Sequence, residues 1–155
     1  MKELNTVNDL SLDKYIGKWF EVARIPNRFE RNLICVTAEY QLRNDGKITV
    51  INRGHKQKDV KRVRSVRGKA WIPDEKFPGR LKVQFFWPLR GDYQIFHLDR
   101  EKYRYALVGE PRRKYFWMLH RTPHISESLY DQLIRIAEDN GYDSSHFYRT
   151  PQTCD

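Results

Sequence analysis

Apolar and polar residues alternate with period two through the middle of the chain, a spacing that belongs to half-buried strands rather than helices. Over residues 36–43 one face reads Val36, Ala38, Tyr40 and Leu42, and the other Thr37, Glu39, Gln41 and Arg43. The turn signal Asn44-Asp45-Gly46 follows. Ile48, Val50 and Asn52 then alternate with Lys47, Thr49, Ile51 and Arg53. These segments predict two paired antiparallel strands with one face inward. Val66, Gly68 and Ala70 oppose Arg67 and Lys69 until Pro73-Asp74 breaks the run. Leu81, Val83, Phe85 and Trp87 oppose Lys82 and Gln84, with Phe86 an exception, and residues 88–91 predict a turn. Tyr93, Ile95 and His97 then share a face. With segments 17–24, 103–109 and 114–121 the count reaches eight strands, spaced as in meandering sandwiches or up-and-down barrels.

Three strands are apolar on both faces, and such a strand must be covered on both. In 114–121, Tyr115, Trp117 and Leu119 oppose Phe116 and Met118; in 17–24, Phe20 and Val22 oppose Trp19 and Ala23; 103–109 behaves alike. Residues 126–140 predict the cover. Ser126 is the N-cap, Glu127 suits the positive helix start, and Leu129, Leu133 and Ile136 recur at helical spacing before Gly141. The 155 residues fit one domain: lead-in 1–13, barrel 14–121, helix 126–140 and tail 142–155.

The net charge is +9, and residues 53–69 hold eight Lys or Arg against Asp59. The simplest reading is a solvated, mobile hairpin that keeps the protein soluble; the functional one is attraction for phosphate head groups, a membrane surface or nucleic acid. No apolar run approaches the ~18 residues of a membrane-spanning helix. The first twelve residues are polar and lack a signal-peptide core, so the expectation is a cytoplasmic chain or a trimmed mature one. Cys35 and Cys154 form no C-x-x-C pair; they can join in an oxidising compartment. Such a bridge would close a long loop, for which chain-entropy models give about 4–5 kcal/mol before strain. Catalysis finds no support: Thr122-Pro123 separates His120 from His124, and His55, His97 and His146 have no partner spacing for a metal or triad. Neither G-x-S-x-G nor a P-loop is present. The expectation is a protein that is not an enzyme, with no catalytic residues, cofactor or metal, and His97 reads as a polar residue of the barrel interior.

The stretch Tyr15-Ile16-Gly17-Lys18-Trp19-Phe20-Glu21-Val22-Ala23-Arg24 closely resembles the G-x-W signature that opens lipocalins, in particular the bacterial lipocalin and apolipoprotein D-like group. Gly91-Asp92-Tyr93 resembles the second signature of that family, and Arg121 in Leu119-His120-Arg121-Thr122-Pro123 the third. The resemblance runs from Asp9 to Gln152. It implies an all-β fold, an eight-stranded antiparallel up-and-down barrel with one C-terminal helix packed outside. It also implies that Arg121 stacks on the Trp19 indole, contributing on the order of 0.5–2 kcal/mol, while Gly17 admits the chain to the barrel floor. Gly17, Trp19 and Arg121 are thus expected to hold the fold and not to touch ligand. Cys35 and Cys154 look like the tail-tethering disulfide of apolipoprotein D-like members. Many bacterial members carry a lipidated N-terminal Cys after a signal peptide, and residues 1–12 hold none. The resemblance points to a periplasmic or outer-membrane location.

If the barrel is a calyx, its inward face supplies the ligand-binding residues: Tyr40, Val50, Asn52, Val83, Phe85, Tyr93, Ile95 and Trp117. In the resembling group the positions of Tyr40, Asn52 and Trp117 face the cavity. An amide such as Asn52 on an apolar face needs a hydrogen-bond partner: Tyr40, Tyr93, water or a ligand head group. The expected partner is a small hydrophobic molecule, a fatty acid, lysophospholipid or similar, with an anionic head group near Arg53, Lys56, Lys61 and Arg62. Monomer and homodimer remain open, as does membrane-surface association. The competing reading is a basic, aromatic-rich barrel for an anionic membrane surface or single-stranded nucleic acid. Nucleic acid is disfavoured because the basic residues cluster on one hairpin and most strand aromatics point inward or lie under the helix.

Overall fold

The computed structural model describes residues 3–85 and 90–154. A one-turn helix α1 (Leu12–Tyr15) leads into β1 (Gly17–Arg24), β2 (Leu33–Leu42), β3 (Ile48–Lys56), β4 (Asp59–Trp71), β5 (Arg80–Gln84), β6 (Gly91–Leu98), β7 (Tyr105–Gly109) and β8 (Phe116–His120). Helix α2 (Glu127–Asp139) and a two-residue strand β9 (Tyr148–Arg149) follow. Each of β2 to β8 pairs with its sequence neighbour, β8 pairs with β1, and β1 pairs back to β2. The sheet therefore closes into a barrel of eight antiparallel strands, and closure removes the free edges at which other chains could pair. The ninth strand, absent from the sequence-based expectation, joins β1.

Two apolar clusters divide the molecule as the double-sided strands require. Trp19, Tyr40, Val50, Tyr93, Ile95 and Val108 belong to the cluster inside the barrel. Val22, Phe96, Leu107, Phe116 and Met118 form the outer one with Leu133 and Ala137 of α2. The helix starts where Ser126 Oγ accepts the Leu129 N–H at 3.1 Å, one of the four donors a helix leaves unpaired.

Closure between β1 and β2 is split. The two strands pair directly only from Gly17 to Phe20. Beyond that, the C-terminal tail lies between them. Ala23 and Arg24 pair with Arg149 and Tyr148, and the Thr150 N–H donates to Val22 O at 2.9 Å. The Gln152 side-chain amide bridges both walls, donating to Glu21 O at 2.8 Å and Val36 O at 2.9 Å. The Cys35 N–H donates to Pro151 O at 2.8 Å, and Cys35 is disulfide-bonded to Cys154.

Several strand readings need correction. A β-bulge between Glu21 and Ala23 turns Ala23 outward, so it lies under α2 with Val22 rather than inside with Trp19. A second bulge between Ile95 and His97 sends His97 out to stack on Tyr105, with ring centroids 5.9 Å apart; it is not an interior residue. Leu42, expected to face inward, is 46% exposed. The basic stretch does form a hairpin, β3 and β4 staying paired as far as Lys56 and Asp59, with the first half of β4 exposed. Phe86, Trp87 and Pro88 lie outside the described residues.

Because the tail supplies part of the wall, its tether stabilises closure itself. The double variant Cys35→Ser/Cys154→Ser is expected to lose about 2–5 kcal/mol in urea unfolding, and Gln152→Leu about 1–3 kcal/mol, for two carbonyls left unpaired. An unchanged urea midpoint in both would show that the tail is an appendage.

Candidate ligand-binding site

The barrel has two unlike ends. The β2–β3, β4–β5 and β6–β7 connections gather at the end that α1 covers, and the β1–β2, β3–β4 and β7–β8 connections at the other. At the covered end Tyr15 of α1 projects into the barrel, buried against Trp19 and Tyr40 with centroid distances of 5.0 and 5.6 Å. The Trp19 indole donates to Tyr15 O at 2.8 Å. Arg121 lies over the Trp19 ring, 3.8 Å from its centroid. Its guanidinium donates to Tyr103 O, Lys18 O, Lys14 O and Tyr15 O at 2.8–3.2 Å. Gly17 has φ +106°, and a Cβ there would stand 3.2 Å from the Arg121 guanidinium; a side chain would be strained and would push at the plug.

Above this floor the hydroxyls of Tyr15, Tyr93 and Tyr40 form a chain, 2.6 Å from Tyr15 to Tyr93 and 2.7 Å from Tyr93 to Tyr40. Burial raises all three phenols well above their ordinary range. They stay neutral, each able to donate and accept, so the polar atoms at the floor satisfy one another.

The expected ligand residues fall into two tiers. Tyr40, Val50, Tyr93 and Ile95 are buried in the inner cluster, Ile95 completely. Val83, Phe85 and Trp117 pack against the same cluster but remain half-buried. Phe85 lies over Gly68, where a Cβ would come within 2.6 Å of its ring. Asn52 is half-buried and its side-chain amide makes no hydrogen bond among the described residues, while Tyr40 and Tyr93 bond to each other. Arg53 donates to Glu39 at 3.2 Å.

A buried ionic cluster at the open end escaped sequence reading. The β1–β2 connection folds into a single 3-10 turn, Arg28–Glu30, capped by the Asn27 side chain. From that turn Glu30 accepts the Trp117 indole N–H at 2.7 Å and the Asn27 amide at 3.1 Å. Arg24, only 5% exposed, lies between Glu21 at 2.9 Å and Glu30 at 3.3 Å and also donates to Leu33 O and Glu30 O. Glu21 further accepts from Thr150 in the tail. Burial, reinforced by the Glu30 charge, pushes the Glu21 carboxyl well above the usual range. Burial acts on Glu30 too, but hydrogen bonds from Glu21, Trp117 and Asn27, with the Arg24 charge, outweigh it and hold Glu30 below that range. The shared environment thus drives the two carboxyls apart: Glu30 is the one that favours its charge beside the Arg24 cation, and Glu21 the one that favours its proton.

Among the described residues no group of three His, Cys, Asp or Glu side chains is placed to hold a metal ion. What the interior offers is a satisfied polar floor, apolar walls and partly open aromatics near the mouth.

Closed eight-stranded barrel, plugged floor and external helix together define the lipocalin architecture, and the comparisons agree. The lipocalin-like domain family matches residues 10–152, so the chain belongs to the lipocalin family, which binds small hydrophobic ligands and is generally one of binding and transport proteins rather than enzymes. It is 41% identical over 151 residues to the outer membrane lipoprotein Blc of Vibrio cholerae, covering 97% of this chain and 88% of that protein. It is 30% identical over 146 residues to apolipoprotein D of Macaca fascicularis, covering 90% and 76%. Among solved structures, insecticyanin from the tobacco hornworm Manduca sexta superposes with a TM-score of 0.76 at 21% identity, covering 97% of this chain and 85% of that one.

The two carboxylates should respond oppositely to substitution. Glu30→Gln leaves Arg24 buried without a counter-charge and is expected to cost about 3–5 kcal/mol at pH 7. Glu21→Gln replaces the carboxyl that favours its proton and should cost less, about 1.5 kcal/mol or below, the worth of one neutral hydrogen bond. Because Glu30 titrates low in the folded state, its contribution is present above the ordinary carboxylate range near 4.5 and fades as the pH falls below it. Urea unfolding at pH 7 and pH 4 tests both: equal deficits for the two variants at pH 7 would overturn the assignment.

Proposed function

We propose that this lipocalin carries a single-chain amphiphile, a fatty acid, lysophospholipid or similar molecule, in the upper half of its barrel. The observation that carries the reading is the gradient along the inner wall. Tyr40, Val50, Tyr93 and Ile95 are sealed, whereas Asn52, Val83, Phe85 and Trp117, toward the mouth, are not. An acyl chain would enter past Trp117 and Phe85 and stop above the tyrosine floor. Burying it gains roughly 0.8 kcal/mol per methylene, so a dozen methylenes give about 10 kcal/mol gross, less the cost of ordering the ligand. Asn52, with an unspent amide on an apolar wall, is the natural partner for a polar head or for water beside it. Lys56, Lys61 and Arg62 on the β3–β4 hairpin supply charge for a carboxylate or phosphate.

The relatives named outer membrane lipoprotein support a periplasmic or outer-membrane location, and the disulfide suits an oxidising compartment.

Displacement of a dansylated undecanoic acid from the delipidated protein tests the cargo. Acids of twelve to eighteen carbons and a lysophospholipid should displace it with Kd in the range of ~1 μM or tighter. Val83→Trp, which fills the upper wall, should weaken them at least about tenfold, roughly the 1.4 kcal/mol step per decade of affinity. Lys56→Gln/Lys61→Gln/Arg62→Gln should weaken the acids about three- to tenfold and leave a long-chain alcohol unchanged, as expected for head-group electrostatics alone. Failure of every amphiphile to displace the probe would defeat the proposal.

A further inference from the structure

The two ends of the barrel differ in charge as sharply as in shape. Three of the open-end connections, residues 25–32, 54–64 and 110–115, hold ten Lys or Arg against three carboxylates. The connections at the covered end, residues 9–16, 43–47, 72–79 and 99–104, hold seven of each. Pairing sharpens the contrast. At the covered end Arg43 meets Asp45 at 3.1 Å, Arg100 meets Asp9 at 2.8 Å and Arg104 meets Asp99 at 2.7 Å. At the open end two of the three carboxylates are spent within the fold. Glu30 is bound as described, and Glu110 accepts the backbone N–H groups of Arg112, Lys114 and Tyr115. Arg28, Arg31, Lys58 and Arg64 are exposed, and none has a carboxylate within ion-pair distance among the described residues.

Charge alone would suit any polyanion. The same end also presents Phe29, Val60 and Val63, each 48–53% exposed. Phe29 sits on the β1–β2 connection with the Arg28 guanidinium 5.3 Å from its ring centroid. Val60 and Val63 lie on β4 near the hairpin turn. The two elements are joined by a hydrogen bond from the Gln57 N–H to Asn32 O at 2.9 Å, so cations and apolar side chains occupy one surface around the mouth. Exposed apolar residues interleaved with unpaired cations match a bilayer interface, where phosphates lie above hydrocarbon. Nucleic acid would instead reward stacked aromatics along a basic groove.

We propose that the open end is a docking face for an anionic lipid bilayer, which sets the barrel mouth against the membrane with the β1–β2 connection and the β3–β4 hairpin seated in the head groups. The docking does not depend on the cargo: Arg28, Arg31, Lys58, Arg64, Phe29, Val60 and Val63, by which it is tested, are not among the residues proposed to bind the amphiphile.

Delipidated protein is sedimented with vesicles of phosphatidylcholine alone or with 30% phosphatidylglycerol. Binding should be at least tenfold tighter to the anionic vesicles and should fall as NaCl rises from 0.05 to 0.5 M. Arg28→Gln/Arg31→Gln/Lys58→Gln/Arg64→Gln should lose at least about tenfold, Val60→Asp/Val63→Asp several-fold, and the covered-end control Lys76→Gln/Lys102→Gln nothing. Near-UV circular dichroism confirms that each variant keeps its fold, and Phe29→Trp, quenched by brominated lipid, reports insertion should the valine pair misfold. Equal binding to both vesicle types overturns the proposal. So does an unquenched Trp at position 29, or tighter binding to a single-stranded oligonucleotide than to the anionic vesicles. Since cargo is read by probe displacement without vesicles, either proposal can fail while the other stands.

Discussion

The split seam between β1 and β2 is the constraint on which the rest of the structure depends. A sheet that curls into a barrel must pair its first strand on both sides, yet β1 is pulled toward β8 along its upper half and parts from β2 beyond Phe20. Left open, the gap would expose the backbone of two strands to one another without partners, and buried backbone groups are costly to leave unpaired. The tail resolves this with main chain from Thr150 and Pro151 and the one side chain, Gln152, whose amide reaches both walls. The cystine then holds that segment beside β2, so the covalent link acts at the place where non-covalent pairing is thinnest.

Closure also explains why an ion cluster is tolerated so deep in the wall. Arg24 sits where β1, the tail and the β1–β2 connection converge: its Nη1 and Nη2 bind Glu21, Glu30 and Leu33 O, and its guanidinium lies 4.9 Å from the Tyr148 ring centroid. Buried ion pairs seldom add net stability; their geometry is nonetheless demanding, and here it fixes the connection that borders the mouth. Through Glu30 the same cluster orients Trp117. The side chain nearest the proposed entry is thus positioned by the groups that complete the barrel.

Much of the barrel was legible because burial on one face imposes period two, and the doubly apolar strands foretold an outer helix. The failures share a cause. Val22-Ala23 and Ile95-Phe96 are adjacent apolar pairs, which a strand accepts either through burial on both faces or through a bulge. Sequence does not separate the two, so Ala23 and His97 were assigned to the wrong side. For β6 a signal was available: Ile95 and Leu98 both reach the inner cluster, a three-residue step that period two forbids without an extra residue. Tyr15 and Glu30 were missed for another reason. Each belongs to a single turn of helix too short to show periodicity, and its role appears only when a strand distant in the chain meets it. Asn52 stands out in the sequence because an amide among apolar neighbours is conspicuous, and its side chain has no hydrogen-bond partner among the described residues.

Floor and mouth solve opposite problems with similar chemistry. At the floor the three phenols bond one another, while the Trp19 indole and the Arg121 guanidinium bond backbone carbonyls, so the lower barrel is built as a support. Toward the mouth, among the described residues, the balance is incomplete: an unpaired amide, half-covered aromatics and cations without counter-charges remain. Unspent polar capacity beside apolar surface is what an amphiphile can satisfy, since its tail removes the surface from water while its head takes up the charge. The covered end, where carboxylates match cations in number and several are paired, has no comparable attraction for anionic surfaces. The proposed orientation toward lipid and the proposed direction of ligand entry therefore rest on a single asymmetry in where the fold has spent its hydrogen bonds and ion pairs.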